Sequence, residues 1–171
     1  MKIQRVFSIA NKETFKIPHI RKILNRYVIN GENWIDPFAG DSNIAGITND
    51  LNPNKPTMFH MHAEKFALQL TGKYDGVLFD PPYSLTQVKQ CYNGIGMDLF
   101  KDDTNNFPFR IKSILAEKIK LGGYAICFGW NSSGFGKYRG FQMVEIFIIN
   151  HGGNKNDTII TVEQKYRETL F

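Results

Sequence analysis

Val77-Leu78-Phe79-Asp80-Pro81-Pro82-Tyr83-Ser84-Leu85-Thr86-Gln87 is an apolar run that ends in an acid, two prolines and an aromatic ring before turning polar. The run has the composition of a buried strand. Two successive prolines fix φ and donate no hydrogen bond, so the chain leaves the strand in an extended turn and cannot coil at once into helix. Ser84 followed three positions later by Gln87 has the spacing of a capping box, which predicts a helix starting there and running towards Tyr92. Strand, stiff turn and helix in that order build the active edge of an open α/β sheet, where ligands sit beyond the carboxyl ends of the strands.

A carboxylate and an outward carbonyl about one residue apart can accept both hydrogens of an exocyclic amino group, while the Tyr83 ring stacks on the attached heterocycle. The lone pair of an aromatic amine is delocalised into its ring and attacks poorly. Two acceptors on its hydrogens favour the localised, nucleophilic form. The same residues also suit a proline-rich turn whose acid caps the next helix, and taken alone they do not choose between the two readings.

Asp80-Pro81-Pro82-Tyr83 resembles the catalytic tetrapeptide of the amino-methylating DNA methyltransferases, which transfer a methyl group from S-adenosylmethionine to adenine N6 or cytosine N4. The resemblance implies that Asp80 and the Pro81 carbonyl grip the target amine, with Pro82 stiffening the corner and Tyr83 stacking on the base. Forty positions upstream of Asp80, Trp34-Ile35-Asp36-Pro37-Phe38-Ala39-Gly40 is an apolar strand ending in a small-residue turn that lets a ligand approach the backbone. It resembles the first cofactor motif of the same family and assigns Asp36, Pro37, Phe38, Ala39 and Gly40 to S-adenosylmethionine. The family's usual second glycine is replaced by Asp41-Ser42-Asn43. Only a turn or two of helix fits before Thr48-Asn49-Asp50, short for a βαβ crossover.

Residues 47–49 read as a second strand and 57–61 as a third. Asp50 is either a turn acid before Asn52-Pro53 or the acid that holds ribose hydroxyls in nucleotide-binding α/β folds. The resemblance favours the ribose role, with Leu51 against adenine and His62-Ala63 where relatives place Asp-Ala on the adenine amino group. A neutral imidazole accepts one hydrogen bond, and protonation removes that acceptor. His60 and His62 lack a third ligand nearby, so a metal is not expected.

Upstream, Ile20, Ile23, Leu24, Tyr27 and Val28 fall at helical spacing as one buried stripe, started by Thr14 or Pro18. The resemblance places Thr14, Phe15 and Ile17, just before that helix, at the methionine end of the cofactor. Downstream, residues 63–70 read as helix. Residues 91–106 read as a long loop, either a surface excursion or a flap over the target base. Ile111, Ile114, Leu115 and Ile119 form another helical stripe, ended by Gly122-Gly123 as cap. Residues 124–128 read as a strand, and Trp130 and Asn131 either line the base pocket or are a packed indole and a turn asparagine. Two β-rich runs, 142–149 and 158–162, close the chain as an antiparallel hairpin.

These elements predict an α/β protein with a mostly parallel Rossmann-like sheet, helices on both faces and a C-terminal antiparallel hairpin, the class I methyltransferase architecture. At 171 residues a single catalytic domain over 1–171 is expected, with no separate target-recognition domain. Together with Thr-Asn-Asp-Leu-Asn-Pro (48–53), Phe-Gly-Trp-Asn-Ser (128–132) and His-Gly-Gly-Asn-Lys-Asn-Asp-Thr-Ile (151–159), the motifs look like those of small phage and prophage adenine-specific DNA methyltransferases. That resemblance implies N6-adenine methylation of DNA in a bacterial cytoplasm, with cytosine N4, RNA, or an inactive nucleic-acid-binding subunit as alternatives.

The net charge of +5, from 21 basic and 16 acidic residues, is compatible with a polyanionic partner. Sequence specificity is expected to be weak, to come from loops such as residues 93–107 and 130–140, or to be supplied by a second subunit, in a homodimer or as a separate specificity subunit. The first residues, Met1-Lys2-Ile3-Gln4-Arg5, lack an apolar leader core, no run approaches a membrane span, and Cys91 and Cys127 form no disulfide pattern. No membrane partner is expected.

Overall fold

Strands β4 (Tyr74–Phe79) and β5 (Ile119–Gly129) run parallel, with Val77 opposite Ala125, Leu78 opposite Ile126 and Phe79 opposite Cys127. Successive strand side chains point to opposite faces, so these pairs feed two separate cores. Val77, Phe79, Ala125 and Cys127 pack with helices α2 (Ala63–Gln69) and α4 (Phe107–Lys118), through Phe66, Ala67, Ile111 and Leu115. Leu78, Ile126 and Phe128 pack on the other face against Ile20, Ile23 and Leu24 of helix α1 (Pro18–Tyr27). Helices therefore cover both faces, as the near-continuous apolar character of Val77-Leu78-Phe79 requires. The computed structural model describes residues 1–11, 13–96, 107–153 and 155–168.

The remaining strands are β1 (Lys2–Phe7), β2 (Trp34–Asp36), β3 (Ile47–Thr48), β6 (Phe141–Asn150) and β7 (Thr158–Lys165). The sheet order is β1-β6-β7-β5-β4-β2-β3. Every neighbouring pair is parallel except the two that β7 makes with β5 and β6. The closing hairpin is thus present and longer than expected, and its last strand inserts between β5 and β6. At the β2–β4 crossing a methyl on Gly76 would stand 2.5 Å from the Trp34 ring, so the glycine makes room for the indole.

One strand was not anticipated and three expectations are corrected. Residues 2–7 form an edge strand parallel to β6, although Ile3 and Phe7 stay exposed and its apolar residues do not alternate along the sequence. The third strand at 57–61 is reduced to a single bridge between Asn49 and Phe59. Between β2 and β3 there is no helix at all, only turns. Gly122-Gly123 does not cap α4. Ile119 already pairs with Tyr74, the register slips before Tyr124 meets Gly76, and the glycines lie in that irregular stretch.

The end of α4 is closed instead by Lys165. Its fully buried ammonium donates to the carbonyls of Ala116 at 2.8 Å and Ile119 at 3.0 Å, and pairs with Glu168. A cation at helix carbonyls satisfies groups that have no partner within the helix. No described helix is long and apolar enough to cross a membrane.

Candidate active site

The corner after β4 is tied down by the helix that follows it, α3 (Leu85–Gly94). The Ser84 hydroxyl accepts from the Gln87 amide at 3.2 Å, and the Gln87 side-chain oxygen accepts from the Tyr83 amide at 2.6 Å. The expected capping box is present, with its return bond landing one residue earlier, on Tyr83. Helix α3 runs through residues 91–94, so the loop expected from Cys91 begins later; residues 97–106 of that loop lie outside the described residues.

Asp80 stands at the carboxyl end of β4 on the shared wall of two cavities, of about 500 and 330 Å3. The Tyr83 hydroxyl donates to Asp80 Oδ1, and Thr14 supplies a second hydroxyl. Burial pushes the Asp80 carboxyl up to about 6, with the two hydroxyls working against it. The Tyr83 phenol is pushed far up by burial and then by the neighbouring carboxylate. At neutral pH the pair is therefore a carboxylate accepting from a neutral phenol.

The larger cavity is lined by Asp50, Leu51, His62, Ala63, Pro81, Pro82 and Tyr83, and the smaller by Phe15, Ala39 and Gly40. Thr14, Phe38 and Asp80 border both. Pro37 lines the larger one. Gly40 has φ of 55° and open space where a side chain would begin. Its amide donates to Asp50 Oδ2 at 3.0 Å, while Asp50 Oδ1 accepts from Asn52 at 2.8 Å. Asp50 is thus at once the turn acid and a cavity wall. His62 caps α2, its Nδ1 accepting from Glu64 at 3.3 Å, and its ring meets Phe107 edge-on at 5.1 Å.

Asp36 and Ile17 line neither cavity. Asp36 is fully buried beneath the turn, where Oδ1 accepts from Phe38 at 3.0 Å and Oδ2 has no partner among the described residues. Burial holds its carboxyl well above the usual range, and Asp80 and Asp50 raise it further. Ile17 is the core residue from which α1 starts. Phe15 packs on Phe128 at 5.0 Å while still reaching the smaller cavity.

Sequence reading missed the far wall, where Gln87, Val88, Cys91 and Tyr92 of α3 join Phe107. The buried pair Val88 and Tyr92, at i and i+4, was the available signal. It also missed Asn49, which is fully buried and knits three segments. Its amide donates to the carbonyls of Pro37 at 3.1 Å and Met61 at 2.9 Å, and its oxygen accepts from Met61 at 3.1 Å. Asn131 is a turn asparagine accepting from Ser133, whereas Trp130 is 41% exposed and meets Tyr83 at 5.6 Å.

A sheet of this order, parallel but for one reversed strand and covered by helices on both faces, is the class I methyltransferase fold. The chain is similar to TrmN from Thermus thermophilus, at 15% identity and TM-score 0.56, over 87% of this chain and 49% of that one. It is also similar to an rRNA methylase from Streptococcus thermophilus, at 7% identity and TM-score 0.55, over 86% and 97% of the two chains. A third is the 1,6-didemethyltoxoflavin-N1-methyltransferase of Burkholderia thailandensis with bound S-adenosylhomocysteine, at 11% identity and TM-score 0.56, over 85% and 76%. The chain spans about half the length of TrmN and nearly all of the Streptococcus protein. No protein-family model matches the sequence, and no curated protein matches it.

Proposed function

We propose that this chain is an S-adenosylmethionine-dependent methyltransferase whose acceptor is the exocyclic amino group of a nucleic-acid base, N6 of adenine in DNA. The observation that carries this reading is the position of Asp80, a carboxylate on the wall between two cavities with a proline-stiffened carbonyl beside it.

The residues fit the cofactor. A cavity of about 500 Å3 is of the size that takes a nucleoside-sized ligand. Asp50 faces that cavity with lone pairs left for ribose hydroxyls, Leu51 offers an apolar face for adenine, and the open backbone at Gly40 leaves room for the methionyl chain. Thr14 and Phe15 close that end. S-adenosylmethionine supplies, when bound, a methyl group on a positively charged sulfur, and no further activation of the electrophile is required.

The protein's own work falls on the amine. Asp80 and the Pro81 carbonyl accept its two hydrogens and draw the nitrogen towards a tetrahedral, localised lone pair. As the nitrogen bonds to carbon it becomes cationic, and Asp80 stabilises that charge and receives the proton that leaves. A carboxyl near 6 is ionised before the step and basic enough to take the proton after it. In the resting protein the Tyr83 hydroxyl occupies Asp80 Oδ1. The incoming amine takes over that contact as the phenol hydrogen swings aside, and the Tyr83 ring keeps its place and stacks on the base.

Asp80→Ala tests the reading. Calorimetry should show S-adenosylmethionine binding retained, and nucleoside mass spectrometry of DNA and RNA from expressing cells should show the methylated base lost. Full transfer by the variant would overturn the mechanism. An absence of cofactor binding in the parent protein would instead support a non-catalytic nucleic-acid-binding subunit. N6-methyladenine in RNA, or N4-methylcytosine, would redirect the acceptor while leaving the roles of Asp80 and Pro81 intact.

A further inference from the structure

Strand order separates the site into two sides. The tips of β2 and β3 carry Gly40 and Asp50, the tip of β4 carries Asp80, and the tip of β5, on the opposite flank of β4, carries Trp130. If the cofactor lies over β2 and β3, as proposed above and on which this inference rests, the acceptor must reach Asp80 from the β5 flank. Trp130 is the large aromatic residue that meets it there.

Two properties of Trp130 call for an explanation. It is 41% exposed, whereas the other tryptophan, Trp34, is 3% exposed in the core. It is also presented on a firmly held segment. Asn131 accepts from Ser133 at 2.9 Å, the Lys112 ammonium donates to the carbonyls of Ser133 at 2.7 Å and Gly134 at 3.1 Å, and the buried Glu163 accepts from the Phe135 and Gly136 amides. The indole is thus held out by a structured loop. The same Lys112 ammonium lies 5.2 Å over the Phe79 ring, so it braces the loop from the core side.

The rings of Trp130 and Tyr83 lie 5.6 Å apart and are inclined at 68°. Two rings that sandwich one base must be nearly parallel and about 7 Å apart, twice the usual stacking separation. Inclined as they are, each ring serves its own base plane. We propose that Trp130 is a stacking platform for the nucleotide next to the target, and that the acceptor is therefore an unpaired stretch of nucleic acid. A base held in a duplex offers its faces only to its own neighbours, whereas the bases of a single strand are free to stack on an exposed aromatic side chain.

Because Trp34 is buried, the solvent-exposed part of the tryptophan emission belongs to Trp130. Titration with a short adenine-containing single strand should quench that emission saturably, and heparin, a polyanion without bases, should not. Fluorescence anisotropy with the same labelled strand should show Trp130→Ala weakening binding by roughly 10-fold or more, with Trp130→Phe restoring most of it. Melting temperature and S-adenosylmethionine affinity should be unchanged in both variants. Single-stranded DNA and RNA arms distinguish the sugar, and quenching by either supports the proposal.

Equal quenching by heparin, tighter binding of the matching duplex, or an Ala variant that binds like the parent would each overturn it. Cofactor binding without quenching defeats this inference alone. Quenching without cofactor binding defeats the methyltransferase reading and leaves the platform standing.

Discussion

Burial of Asp80 costs the folded chain stability. Its carboxyl is raised from 3.8 to about 6 in the folded chain, chiefly by burial. The native protein therefore still holds this proton where the unfolded chain has released it, and stability falls as pH rises from about 4 to about 6 and stays reduced above that. At ~1.4 kcal/mol per unit the effect is at most roughly 3 kcal/mol. Asp80→Asn should unfold at higher denaturant than the parent at about pH 7.5, by about 1–3 kcal/mol, and like the parent at about pH 4, while transfer falls by roughly 100-fold or more. The same titration shapes the rate. Methyl transfer should rise tenfold per pH unit below about 6 and level off above it, as a pH series with a radiolabelled methyl donor would show. The tetrapeptide was legible in the sequence because its chemistry is local. The Tyr83 hydroxyl on Asp80 was not, nor was the Thr14 hydroxyl, which comes from a turn 66 positions away.

Elements were legible where the apolar pattern and its punctuation are local. The stripe of α1 repeats at helical spacing, the apolar run of β4 is short and stopped by two prolines, and the closing hairpin is two β-rich runs about a glycine turn. Strand β1 escaped because an edge strand with Ile3 and Phe7 exposed gains its order from β6, more than 140 residues away, and not from its own pattern. Gly122-Gly123 misled because glycine after a helical stripe is the usual stop signal, and here the stop comes from a distant lysine. The contact of Trp34 with Gly76 is equally non-local. Gly76→Ala would force the indole aside and should cost about 1–3 kcal/mol in urea unfolding. Gln87→Ala acts differently. Losing the bond from the Tyr83 amide loosens the catalytic corner, so activity should drop several-fold for a stability loss of only about 1 kcal/mol.

For the molecule as a whole, the sheet brings every proposed catalytic and cofactor-side residue that lines a cavity to one edge, and chain order alone predicts that much for an open α/β sheet. Which of them share a cavity needed coordinates. Asp36 sits one residue from a lining proline yet is buried beneath the turn, where its carboxyl is engaged by the Phe38 amide. With a net charge of +5, affinity for a single strand should fall steeply with salt, roughly 20-fold between about 50 and 200 mM if three phosphates are contacted. S-adenosylmethionine affinity should barely change, and parallel titrations at the two salt concentrations compare them. Lys165 offers a chemical clock for the same molecule. An amine wholly shut from solvent beneath α4 is beyond the reach of acylating reagents, which will mark the outward lysines first. The rate at which residue 165 gains the tag should therefore track how often the chain opens, read peptide by peptide in a mass spectrum.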